Sequence, residues 1–67
     1  MEIGNIYYDD ELNIYMIIIN IDKSTCKALL IDGYKTQHNK ISVAEYPKIN
    51  LLAAIAHELI VQVGGIY

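Results

Sequence analysis

Apolar and polar residues alternate along the first half of the chain, which is typical of β-strands. The alternation predicts strands over residues 3–8, 12–21 and 25–31. Turn-forming residues separate them, with acids at positions 9–11 and the sequence Asp-Lys-Ser at 22–24. The short spacing between the second and third strands predicts an antiparallel hairpin, so the sheet begins as a meander.

Residues 12–21 are the strongest predicted strand, and they are apolar on both faces beyond the midpoint. The two-residue repeat places Leu12, Ile14, Met16 and Ile18 on one face and Tyr15, Ile17, Ile19 and Ile21 on the other. Two explanations are open: a β-bulge near Met16 that reverses the facing, or cover on both faces of the strand. We favour the second, with a helix on one face and a second subunit or a curled sheet on the other.

The second half of the chain predicts further strand structure followed by a helix. Residues 34–39 fit a fourth strand or a loop, and Ile41 and Val43 alternate as a strand does. Pro47 breaks that pattern because proline has no N–H group. A helix is then predicted from an N-cap at Asn50 to the glycines at 64–65. Its predicted core face consists of Leu52, Ile55, Ala56, Leu59, Ile60 and Val63.

Strands followed by a helix predict an α+β fold, in which one C-terminal helix packs on a small antiparallel meander sheet of four to five strands. A chain of 67 residues has room for a single domain, residues 1–67. The hairpin spacing and the opening Gly4-Asn5-Ile6-Tyr7-Tyr8 resemble SH3-like small barrels, whose sheet is partly closed. The resemblance is one of fold pattern over about two thirds of the chain, and fold does not imply function.

Composition and charge narrow the classes of partner. Hydrophobic residues make up 54% of the chain, and the single cysteine, Cys26, excludes an intramolecular disulfide. Small domains without such cross-links often gain stability by oligomerising. A net charge of −3 and the absence of arginine argue against nucleic acid as the main partner. No apolar run reaches the roughly 20 residues of a membrane span, so we expect no membrane partner and a cytoplasmic location.

Three features could carry chemistry, and each has a simpler interpretation. His57 and Glu58 lack the second histidine of a zincin motif, because Val61 stands at that position. Cys26 lies in a predicted strand, where a buried thiol is expected. The acids at 9–11 are contiguous, unlike the alternating ligands of an EF-hand loop, and predict a solvated turn. We therefore expect no catalytic residue, no cofactor and no metal site, and hence no enzyme.

The leading functional interpretation is a small non-catalytic protein-interaction module that acts as a homodimer and binds an unidentified protein. Composition rich in isoleucine, lysine and asparagine suggests an AT-rich genome, which fits a phage- or mobile-element-encoded modulator or inhibitor of a host protein. Tyrosine is enriched at interface hot spots. The predicted partner-binding residues are Tyr15, Ile17, Ile19, Tyr34 and His38.

The alternative interpretation belongs to another class, a single-stranded nucleic-acid-binding SH3-like small barrel. Residues 34–40 place two lysines, a histidine and a tyrosine within seven positions. Proteins that bind single strands combine positive charge with stacking rings in this way. The same segment also fits an exposed polar loop or sheet edge.

Overall fold

The computed structural model describes residues 1–32 and 41–65. Its elements in chain order are β1 (Ile6–Asp9), β2 (Ile14–Ile21), β3 (Thr25–Asp32), β4 (Ile41–Pro47), α1 (Lys48–Ala56) and β5 (Val61–Gly64). The strands form one antiparallel sheet in the order β4-β3-β2-β1-β5. This confirms the α+β class and the five-stranded antiparallel sheet. The sheet is not closed, so the SH3-like barrel remains a prediction, and the strand or loop predicted at 34–39 lies outside the described residues.

The turn between β1 and β2 is held by polar side chains, as the acidic cluster predicts. The Oδ1 atom of Asp9 accepts hydrogen bonds from the backbone N–H groups of Glu11 and Leu12, at 3.0 and 3.2 Å. Asn13 has a φ of 53°, a left-handed conformation that asparagine tolerates better than most residues. The chain therefore enters β2 at Ile14, two residues later than the alternation predicts.

A β-bulge in β2 resolves the ambiguity about its two faces. Ile18 pairs with Ala28, but the next β3 residue, Lys27, pairs with Asn20, so Ile19 is the extra residue. The bulge brings Ile21 back to the helix side, where it packs against the core. The predicted outward facing of Ile21 is therefore wrong. The bulge also lies after Ile18 rather than near Met16, and it leaves Ile18 only 1% exposed.

The core lies between α1 and the sheet face that we call the inner face. Its buried apolar members are Tyr7, Met16, Ile18, Cys26, Ala28, Leu51 and Ile60. Five of them come from the three central strands β1, β2 and β3. Leu51 supplies the anchor of α1, and half-buried Ala54 and Ile55 pack beside it. The described residues thus form two layers, and they cover only one face of the sheet.

The predicted helix boundaries are wrong at both ends. α1 starts at Lys48, directly after Pro47, which ends the edge strand β4 where proline is tolerated. It stops at Ala56, and residues Val61–Gly64 form β5 on the open side of β1. Four residues assigned to the predicted core face are consequently exposed, namely Leu52 (44%), Leu59 (61%), Val63 (47%) and Ala56. The helix is also followed by a strand, so it is not the last element.

The early end of α1 is a Schellman motif with an unusual residue. Glu58 has a φ of 58°, and its N–H donates to the Ile55 carbonyl oxygen at 3.1 Å. The N–H of Leu59 donates to the Ala54 oxygen at 2.9 Å, which completes the pair of bonds that defines the motif. Glycine usually occupies the left-handed position. The sequence here has glutamate, so the glycines at 64–65 predicted a helix end that lies too late in the chain.

Replacing Glu58 with glycine is expected to stabilise the fold by about 0.5–1 kcal/mol. A left-handed conformation costs an L-residue roughly 1–2 kcal/mol, and the greater flexibility of glycine in the unfolded chain offsets part of the gain. Chemical denaturation of Glu58→Gly and Glu58→Ala measures the difference, because alanine keeps the conformational strain without the charge. Equal stability of the two variants would contradict the left-handed helix end.

Candidate interaction surfaces

The sheet face opposite α1, which we call the outer face, carries two cross-strand rows of mostly apolar residues. The first row, from β4 to β5, consists of Val43, Leu29, Ile17, Ile6 and Gly64. The second row consists of Ile41, Ile31, Tyr15, Tyr8 and Val61. Directly opposed residues of neighbouring strands project from the same face. Nine apolar or aromatic side chains therefore lie side by side across all five strands.

No part of residues 1–32 and 41–65 covers the outer face. Its members on the edge strands are the most accessible, with Ile41 at 62%, Val43 at 58% and Val61 at 47% exposure. Tyr15 on the central strand β2 is 39% exposed, and the other members are half-buried against each other. Five strands spaced about 4.8 Å apart and two rows give a patch of roughly 24 by 14 Å. A projection on the order of 300 Å² reaches the lower end of the range for the largest apolar patch of a typical monomer, about 300–600 Å², and such patches are often functional.

Polar residues border the outer face at both ends of the strands. At one end Lys27 of β3 stands opposite Glu45 of β4 and opposite Asn20 of β2. At the other end lies the β1–β2 turn, which includes Asn13. An apolar centre with a polar rim is the usual anatomy of a protein interface.

Two tyrosines, Tyr8 and Tyr15, are in contact near the middle of the outer face. The rings of Tyr8 and Tyr15, which are direct cross-strand partners, have centroids 4.8 Å apart and planes inclined by 43°. The Tyr8 hydroxyl donates a hydrogen bond to Oδ1 of Asn13 at 2.7 Å. Ring contact and hydrogen bond hold both side chains in place, so they can contact a partner with little further loss of side-chain entropy.

The structure brings together three of the five predicted partner-binding residues. Tyr15 and Ile17 are the β2 members of the two rows, and Ile19, 41% exposed, lies beside them in the bulge. Tyr34 and His38 lie outside the described residues. Sequence analysis missed the members of the rows on the other strands, namely Ile6, Tyr8, Leu29, Ile31, Ile41, Val43 and Val61. Alternation in each strand carried the signal, but the strand register was needed to place these residues on one face.

A second, smaller apolar surface lies on the solvent side of α1. Ile49 is 75% exposed, Leu52 is 44% exposed, and Leu59, just beyond the helix, is 61% exposed. We call this group the helix stripe. The helix has few polar residues, and its mostly apolar circumference is characteristic of helices that are covered on more than one side. Both outward surfaces of the two-layer domain are therefore apolar.

The remaining polar and ionisable features of the described residues lie apart from these surfaces. His57 and Glu58 are exposed at the end of α1. A solvent-open cavity of about 180 Å³ lies against the inner face, lined by Leu12, Ile14, Leu30, Asp32 and Ser42. Within residues 1–32 and 41–65, no three histidine, cysteine or acidic side chains are grouped as metal ligands would be.

Cys26 is part of the core, as its place in the strand pattern predicts. Its side chain is fully buried, and the thiol donates a long hydrogen bond to the Tyr46 carbonyl oxygen, at 3.9 Å. Burial raises the pKa of the Cys26 thiol above its usual value near 9.0, an effect that the nearby positive charge of Lys48 partly opposes. Since the thiolate is the reactive form, burial and the raised pKa both suppress reactivity.

The Cys26 thiol is therefore expected to react with a disulfide reagent only when the chain opens. At neutral pH, the native protein should react about 100-fold or more slowly than the same chain in denaturant, because the open form of a stable domain is rare. The release of coloured thiolate from an aromatic disulfide gives both rates. Similar rates in the two conditions would contradict the buried position of Cys26.

Two further observations concern membrane-spanning helices and similarity to known proteins. No helix in the part of the chain that the structure describes is long and apolar enough to cross a membrane. Comparison with protein-family models, with curated proteins and with solved structures found no match in any of the three.

Proposed function

We propose that this protein is a small non-catalytic interaction module that works through apolar protein–protein contacts and acts as a homodimer. The outer face carries the proposal, because a contiguous apolar surface of this extent marks an interaction site more often than a solvated sheet face. Antiparallel sheets with one solvated face normally alternate between apolar and polar residues, and the two rows depart from that pattern in every strand.

The identity of the partner protein is a narrower proposal that rests on composition. The residue composition suggests an AT-rich genome, and the chain is small and acidic. Both features fit a phage- or mobile-element-encoded modulator or inhibitor of a host protein. An unpaired, buried cysteine fits the reducing cytoplasm. We also propose that the sheet curls toward an SH3-like barrel. The edge strands β4 and β5 are the two strands that closure would bring together, and α1 with residues 57–60 connects them directly.

Single-stranded nucleic-acid binding is the second candidate, and one observation favours it. The rings of Tyr8 and Tyr15 lie on an open sheet face, where a base could stack on Tyr15. Charge argues against it, since Lys27 is the one cation close to the two rows among the described residues, and it stands opposite Glu45. Phosphate binding requires clustered cations, so we favour the protein-interaction module.

Fluorescence anisotropy with labelled single-stranded oligonucleotides at low salt separates the two candidates. The protein-interaction proposal predicts no binding at protein concentrations up to about 100 μM, where even weak specific complexes would form. Binding that weakens steeply with added salt and is lost in Tyr15→Ala would favour the nucleic-acid candidate instead. Leu59→Ala is the matched control, since it removes an exposed apolar side chain outside the sheet.

A further inference from the structure

We infer that the outer face is the surface that a second copy of this chain covers, so that two sheets stack face to face with their α1 helices on the outside. The inference rests on the proposed homodimer and assigns it a surface and a geometry. It leaves the helix stripe of each copy open for a different protein.

Area distinguishes the two apolar surfaces. A standard interface buries about 800 Å² on each partner, about one sixth of the 4818 Å² that this chain exposes. The rows alone project roughly 300 Å². Protruding side chains and the adjoining Ile19 and Val63, both more than 40% exposed, bring the outer face toward the required area. The helix stripe follows a nine-residue helix about 13.5 Å long and 10 Å wide, which is less than half the projected area of the rows.

The charged groups in and around the outer face do not oppose its contact with the same face of a second copy. Each chain carries a net charge of −3, which would oppose association if acidic groups lay in the contact. The two rows contain no carboxylate, ammonium or imidazole group. The charged pair Lys27 and Glu45 stands at the rim, where it can stay hydrated. A second copy can therefore bury both rows without burying a carboxylate or an ammonium group.

The sheet order also suits a two-fold arrangement. β2 is the middle strand, with two strands on either side. A two-fold axis that lies between the two sheets and above β2 would place the Tyr15 and Ile17 side chains of the two copies at the centre of the contact. Symmetric dimers of this type use the same patch on both subunits. Two twisted sheets pack face to face about 10 Å apart with strands about 30° from parallel.

Lysine substitutions at opposite edges of the outer face test this assignment. Ile41→Lys lies on β4 and Val61→Lys on β5, about 19 Å away across four strand spacings. Lysine is well tolerated on exposed edge strands, so both variants should fold. Ile49→Lys makes the same chemical change on the helix stripe and is the matched control. Size-exclusion chromatography with light scattering at about 100 μM gives the mass of each variant, and circular dichroism confirms folding.

We expect both outer-face variants to weaken the dimer by about 100-fold or more, since each symmetric dimer would bury two unpaired ammonium groups. Ile49→Lys should keep the wild-type mass. Dissociation by Ile49→Lys alone would move self-association to the helix stripe and overturn the inference, while the proposed homodimer would stand. Dissociation by only one edge variant would indicate edge-to-edge strand pairing and would also overturn it. A wild-type monomer would contradict the proposed homodimer itself.

Discussion

Leu51→Ala is expected to lower the free energy of unfolding by about 2–5 kcal/mol, whereas Leu59→Ala should change it by less than about 0.5 kcal/mol. Leu51 is the buried residue of α1, only 5% exposed, and its removal leaves a cavity between helix and sheet. Leu59 is 61% exposed and loses little packing on truncation. A continuous helix to residue 63 would predict a large loss of stability in Leu59→Ala. The two substitutions therefore distinguish that longer helix from one that ends at Ala56.

Urea denaturation at one fixed protein concentration measures both changes, because the stability of a self-associating protein depends on concentration. A loss of several kcal/mol is comparable to the whole stability of a domain this small. Leu51→Ala is therefore compared at low temperature with Leu51→Met, which conserves volume and should cost less than about 1.5 kcal/mol. If Leu59→Ala lowered the free energy of unfolding as much as Leu51→Ala does, the result would support the longer helix and contradict β5.

The second large effect is expected at Gly65, where β5 ends against the N-terminal segment. Gly65 has a φ of +100°, and a Cβ atom there would lie 2.6 Å from the Asn5 Cα and 2.7 Å from the Gly4 carbonyl oxygen. Both are backbone atoms, so no side chain can move aside. The segment is itself tied to β2, because Gly4 N–H donates to the Ile18 oxygen at 2.7 Å. Gly65→Ala should therefore cost more than about 3 kcal/mol, from steric overlap added to backbone strain.

Gly4→Ala is the matched control for this prediction. Gly4 has a similar φ of +95°, but a Cβ atom there meets nothing within 4 Å. Alanine at position 4 should lower the free energy of unfolding only through its unfavourable backbone conformation, by roughly 1–2 kcal/mol. Urea denaturation of both variants gives the two costs, and hydrogen exchange of the β5 amides in Gly65→Ala should show that strand opening first. Equal costs at the two glycines would mean that Gly65 does not approach the N-terminal segment.

Local patterns were sufficient to predict the first part of the fold. The two-residue repeat placed Met16 and Ile18 on one face of the strand, where both are buried in the core, and the turn residues separated β1, β2 and β3. Cys26 was also correctly placed as a buried strand residue. Each of these depends on neighbours in sequence, so alternation and turn chemistry carry enough information.

The end of the chain could not be predicted in the same way. Residues 61–63, Val-Gln-Val, fit a helix face as well as a strand, and β-branched residues slightly favour the strand. What decides between them is pairing with β1, more than 50 residues earlier, which local periodicity does not report. Glu58 added to the error, since a left-handed glutamate gives no sequence signal for a helix end.

The outer face was predicted in part for a similar reason. The excess of isoleucine in residues 12–21 indicated a second apolar face, and Tyr15, Ile17 and Ile19 do lie on it. The bulge after Ile18 could not be located from alternation, so Ile21 was assigned to the wrong side. Only the register across five strands shows that single apolar positions in each strand join into two continuous rows.

Sedimentation equilibrium of the unmodified chain at about 10–200 μM tests the covered outer face most directly. Self-association through this face predicts a mass that approaches twice the 7.6 kDa of one chain as concentration rises. A single dissociation constant in the micromolar range or below should describe the data, since the two rows are apolar and their contact buries no charged group. A mass that stays at 7.6 kDa up to 200 μM would contradict the proposed homodimer and leave the outer face exposed to solvent.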